Sequence, residues 1–137
     1  MDGTRGEKVM ADEKRFENKI KRWFHSIGIY PAGYGEEKMS VEQIGWYTKI
    51  WGGGYQKSGI PDIIACVKGQ FVSIEIKATT GRPSPLQELN TNRIRDSGGH
   101  GCFLYPTGFE DFKEDLLHMI EALTWDSYAP RLKGEYK

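Results

Sequence analysis

The run Gly59-Ile60-Pro61-Asp62-Ile63-Ile64-Ala65-Cys66-Val67-Lys68-Gly69-Gln70-Phe71-Val72-Ser73-Ile74-Glu75-Ile76-Lys77 constrains the fold more than any other part of the chain. Two apolar, β-branched stretches flank Lys68-Gly69, the pattern of a strand, a tight turn and a second strand. Strand side chains alternate between faces, so Ile63, Ala65 and Val67 share one side, as do Val72, Ile74 and Ile76. Both rows are wholly apolar and belong against a core. The other face carries Asp62, Ile64 and Cys66 beside Phe71, Ser73, Glu75 and Lys77. A two-residue turn pairs Val67 with Gln70, and counting back puts Asp62 opposite Glu75, about 4.5–5.5 Å away at Cβ. A slip of one residue would turn an apolar row out of the core, so the register is well defined.

Two carboxylates held this close repel each other. A divalent cation is the simplest way to offset that, and hard oxygen ligands suit Mg²⁺ or Mn²⁺. Lys77 lies on the same face, two residues past Glu75. It either neutralises the pair or meets an anionic substrate. The plain alternative is a surface salt bridge from Lys77 to both acids.

The remaining chain is consistent with one folded domain of 137 residues, with 38% apolar and 12% aromatic residues. Formal net charge is zero, so a polyanion site must be a local patch rather than a global basic field. Cys66 and Cys102 fall in predicted strands without CxxC spacing and read as reduced core residues of an intracellular protein. No apolar leader and no membrane-length apolar run is visible, so a cytoplasmic protein is expected. His25, His100 and His118 are scattered without zinc-ligand spacing.

Residues 1–11 read as a flexible arm, 12–123 as the domain and 124–137 as a mixed tail. In the tail, Trp125 and Tyr128 either fold back or meet a partner. Phe16, Ile20, Trp23, Phe24 and Ile27 recur at helical spacing after Asp12, a candidate N-cap. Glu17 sits beside that stripe, in the position of a solvated edge. Lys14, Arg15, Lys19, Lys21 and Arg22 form a basic flank, for solubility or for phosphate contact. Residues 28–45 read as a loop with a helical turn from Ser40 to Ile44, and Gly45 to Trp51 as a strand. The glycine-rich connector 52–59 lacks Walker-type spacing; Lys57 is its residue best suited to touch a phosphate. Ser84 and Pro85 open a helix to about Asp96, with Gln87 or Glu88 completing a capping box. Leu86, Leu89 and Ile94 are its expected inward face, and Arg93 and Arg95 suit its C-terminal dipole. A strand at 101–105 and a helix at 109–123 follow. The expected fold is α/β, a central mixed sheet of about four strands flanked by helices, in the order α-β-β-β-α-β-α.

These residues resemble the PD-(D/E)XK nuclease superfamily, and within it the VRR-NUC family of phage, bacterial and eukaryotic repair proteins. The matching positions are Glu17, Gly59-Ile60-Pro61-Asp62, Glu75-Ile76-Lys77, Gly81-Arg82-Pro83-Ser84-Pro85-Leu86-Gln87 and Gly98-Gly99, across about residues 13–106. The resemblance implies a restriction-endonuclease-like core and a Mg²⁺-dependent DNA endonuclease, with Mn²⁺ as a substitute ion. It implies Asp62, Glu75 and the Ile76 carbonyl as metal ligands and Lys77 as the lysine that orients or deprotonates the attacking water. Glu17 resembles the supporting helix acid, and Gln87 the polar residue lining the pocket. Lys57, Arg82, Ser84 and Arg93 are the expected nucleic-acid contacts. By analogy the substrate is branched or junction DNA, as for a Holliday-junction resolvase, and the assembly a homodimer. Two other readings remain: a catalytically silent nuclease fold that binds DNA or a partner, and a subunit active only within a larger assembly. Both acids and the lysine are present, and degenerate relatives tend to lose one of them.

Overall fold

The two apolar rows of the hairpin are buried, and the sheet is built outward from them. The computed structural model describes residues 2–51, 59–125 and 130–137. The hairpin strands are β3 (Ile63–Val67) and β4 (Gln70–Ile76), paired antiparallel with Val67 against Gln70 and Ile63 against Ile74. Lys68 and Gly69 both take positive φ, 50° and 83°, the two-residue turn whose twist matches the strands. Ile63, Ala65, Val67, Val72, Ile74 and Ile76 are all buried. Fully burying a Val or Ile side chain contributes roughly 1.5–3 kcal/mol.

Three further elements lie along the chain before this hairpin: α1 (Asp2–Ile27), β1 (Ile29–Pro31) and β2 (Gly45–Lys49). After it come α2 (Pro85–Asp96), β5 (His100–Leu104), α3 (Phe109–Trp125) and β6 (Glu135–Tyr136). The six strands lie in chain order across one mixed sheet. β2–β3 and β3–β4 are antiparallel, while β1–β2, β4–β5 and β5–β6 are parallel. The class is α/β, as expected, with two more strands than the sequence suggests.

On one face of the sheet, Phe16, Ile20 and Phe24 of α1 and Phe109, Phe112, Leu116 and Met119 of α3 join the apolar strand rows in a single core. Phe16 and Phe109 meet edge-to-face, with ring centroids 5.4 Å apart. α2 lies against β4 and β5, where only Thr91 of the helix is fully buried.

Several sequence expectations need correction. Residues 2–11 are not a loose arm but the first turns of α1, so Asp12 is inside the helix, paired with Arg15 rather than capping. The helical turn in the following loop falls at Glu36–Lys38, not at Ser40 to Ile44. The second strand stops at Lys49, and the Ile50 N–H then bonds the Asp62 carbonyl at 2.7 Å. Leu86 and Leu89 are 42% and 43% exposed, because α2 turns its small Thr91 to the sheet instead. Cys102 is buried, but Cys66 is exposed.

The tail from residue 130 is part of the fold. Leu132 and Tyr136 are buried. Arg131 donates to the carbonyls of Arg95 and Gly99, and Arg95 donates to those of Gly101 and Leu132. The Leu132 N–H donates to His100 Nδ1, and the Tyr136 hydroxyl donates to Asp115. Trp125 is exposed, and Tyr128 lies outside the described residues.

Candidate functional site

Asp62 precedes β3 and Glu75 is the penultimate residue of β4, so the hairpin register alone brings them together at the sheet's end. Asp62 Oδ2 accepts the Ile76 N–H at 2.7 Å, which fixes that carboxylate across the strand gap. Glu75 is buried and accepts from Gln87 Nε2 at 3.0 Å. Gln87 is itself held by the capping box of α2: its Oε1 takes the Ser84 N–H, and its own N–H donates to Ser84 Oγ. The capping role and the site role of Gln87 are therefore one arrangement.

The segment leading into Asp62 is packed against the first turns of α2. Gly59 takes φ +83°, and a Cβ there would lie 2.8 Å from the Leu86 carbonyl. A side chain at this position is excluded both by backbone conformation and by space. The Gly59 carbonyl accepts from Asn90 Nδ2 at 3.0 Å, a second tie between this segment and α2.

α1 reaches the same place from the core side. Glu17 is buried rather than on a solvated edge, because it shares the face of Ile20 and Phe24. Lys14 and Lys21 each lie 3.0 Å from its Oε2, and Lys49 closes on Oε1. Burial pushes this carboxyl up, but the three ammonium groups outweigh it and hold it down at about 2. Lys14 and Lys21 of the basic flank are therefore engaged by Glu17.

Glu13, one turn earlier, is a site residue that the sequence reading missed. Burial raises its carboxyl, with Lys77 opposing and Asp62 reinforcing. The i, i+4 spacing of Glu13 and Glu17 puts them on one helix face, but an acid in the first turn of a helix that starts at Asp12 reads equally as a partner of the helix dipole. Glu13, Lys14, Lys49, Trp51, Asp62 and Ile76 line a cleft of about 440 Å³.

Burial raises Glu75 well above the usual carboxylate range, and the adjacent Asp62 raises it further, against Lys77. Burial raises Asp62 as well, against its bond from the Ile76 N–H. Among the described residues neither acid forms an ion pair, so Lys77 does not close a salt bridge on either of them. One buried and one half-buried carboxylate, opposed and without a counter-ion from those side chains, fit a hard divalent cation. Among the described residues no cluster of three or more acidic, His or Cys side chains is assembled.

The other expected contacts are dispersed. Ser84 is occupied as the cap of α2, and Arg82 is exposed. Arg93 lines a separate cleft of about 420 Å³ with Ile60, Pro61, Phe71 and Asn90, and neither Asp62 nor Glu75 is among its lining residues. Lys57 lies outside the described residues. No family model matches the chain, and no curated protein or solved structure matches it either. Among the described residues no helix is long and apolar enough to cross a membrane.

Proposed function

We propose that the protein is a metal-dependent endonuclease that hydrolyses DNA phosphodiesters, built on a restriction-endonuclease-like core of the PD-(D/E)XK type. The observation that carries this reading is the Asp62–Glu75 pair, opposed across a hairpin with no ion pair to either acid among the described residues. Asp62 and Glu75 would hold Mg²⁺ or Mn²⁺, with the Ile76 carbonyl beside them. When bound, the ion supplies charge neutralisation at the phosphate and lowers the pKa of a bound water. Gln87 orients Glu75 through its amide. Lys77, next along the chain from Ile76, is suited to orient the attacking water or take its proton. The preference for branched DNA, the homodimer and the VRR-NUC assignment rest on the sequence resemblance.

Cleavage of linear, flapped and four-way DNA with Mg²⁺, Mn²⁺ or EDTA tests the reading, using wild type and Lys77→Ala. Metal-dependent cutting that Lys77→Ala abolishes is the expected result. Binding without cutting on every substrate would instead establish a silent nuclease fold.

A further inference from the structure

Trp51 stands at the wall of the carboxylate cleft and is 71% exposed. Lys49 Nζ lies 4.7 Å and Lys14 Nζ 5.6 Å from its ring centroid. Both lysines are held by Glu17 with their ammonium groups over the ring, and the indole still keeps most of its surface open to solvent. Met10, also exposed, adds a soft apolar contact on the same cleft. Single exposed hydrophobics are ordinary, but this one joins a π-face and two cations to Asp62 in one cleft.

We propose that Trp51 is a stacking platform for an unpaired nucleobase next to the scissile phosphate. This rests on the nuclease reading and narrows its substrate to DNA with unpaired nucleotides at the cut. A base inside a duplex is already stacked on both faces, so an indole reaches only a base that has left the stack. The cleft, about 440 Å³, matches sites of ~300–1,000 Å³ that take small ligands, which suits a nucleotide unit rather than a duplex. Lys14, Lys21 and Lys49 share the single Glu17 carboxylate, so net positive charge is left at the ring for the flanking phosphate.

The test compares wild type, Trp51→Ala, Trp51→Leu and Trp51→Phe. Binding to single-stranded, flapped and blunt duplex DNA is measured without Mg²⁺, and cleavage with it. Stacking worth about 1–3 kcal/mol per base predicts a roughly 5- to 150-fold loss of affinity for the unpaired substrates in Trp51→Ala. Trp51→Leu should lose as much, since it keeps bulk but no π-face, while Trp51→Phe retains most of the affinity. Equal losses on blunt duplex, or no loss in Trp51→Ala, overturn the platform while leaving any metal-dependent cutting intact. Trp51-dependent binding without cutting supports the platform and overturns the nuclease reading. A wild type that neither binds nor cuts overturns both.

Discussion

Gln87 donates from Nε2 to Glu75 Oε1 at 3.0 Å while its own Oε1 accepts the Ser84 N–H at 2.9 Å. One amide therefore joins the start of α2 to the buried acid of β4. Ser84→Ala should cost about 0.5–2 kcal/mol through the lost cap. Gln87→Ala should cost a similar amount and also weaken Mg²⁺ binding by roughly 10-fold. Thermal unfolding across a Mg²⁺ titration checks this; equal cation affinity in the two variants would leave Gln87 as a cap alone.

Above about pH 8, where Glu75 is ionised, Asp62→Asn should stabilise the protein without metal, because it removes one of two opposed carboxylates while the amide oxygen still accepts the Ile76 N–H. The expected gain is about 1 kcal/mol. Mg²⁺ should raise the unfolding midpoint of wild type by mass action and leave that of Asp62→Asn unmoved. A midpoint that Mg²⁺ shifts equally in both would remove Asp62 from the ion's ligands.

Glu17 sits at about 2, below its ordinary 4.5. Its folded value is depressed, so its contribution is present above about pH 4.5 and lost as pH falls through about 2. The full shift corresponds to about 3 kcal/mol. Lys14 is half exposed, and solvent screening of its share lowers the expected contribution to ~2 kcal/mol. Glu17→Gln leaves three lysines around a neutral amide and should be destabilised near neutrality. Urea unfolding of both proteins from neutral to acid pH should show the gap narrowing across that window. A gap independent of pH would mean that the ion pairs contribute nothing.

Leu132 is 1% exposed within the core that the tail completes. Leu132→Ala should cost about 2–5 kcal/mol, measured by chemical denaturation. A surface-like change below about 0.5 kcal/mol would return the tail to the mixed, partner-seeking segment that its composition suggests.

The cap of α2 is legible in the sequence, but its buried face is not. Ser84, Pro85 and Gln87 lie within four positions, and their bonds close within one turn. Which side of the helix meets the sheet depends on what β4 and β5 present. There Gly101 leaves room for Thr91, whose carbonyl lies 2.9 Å from where a Cβ would stand, and no leucine fits. β1 and β6 are hidden for a related reason. Each is two or three residues long and exists only because a neighbouring strand offers its edge.

The chain's own order of residues determined the hairpin, its register and the opposition of Asp62 to Glu75, because alternation and a two-residue turn are local properties. The tertiary structure decided that α1 begins at Asp2, that Glu17 is enclosed by Lys14, Lys21 and Lys49, and that Glu13 and Trp51 share a cleft with Asp62. The decisive contacts among these join residues distant along the chain, and only the packing of α1 across the sheet brings them within reach of one another.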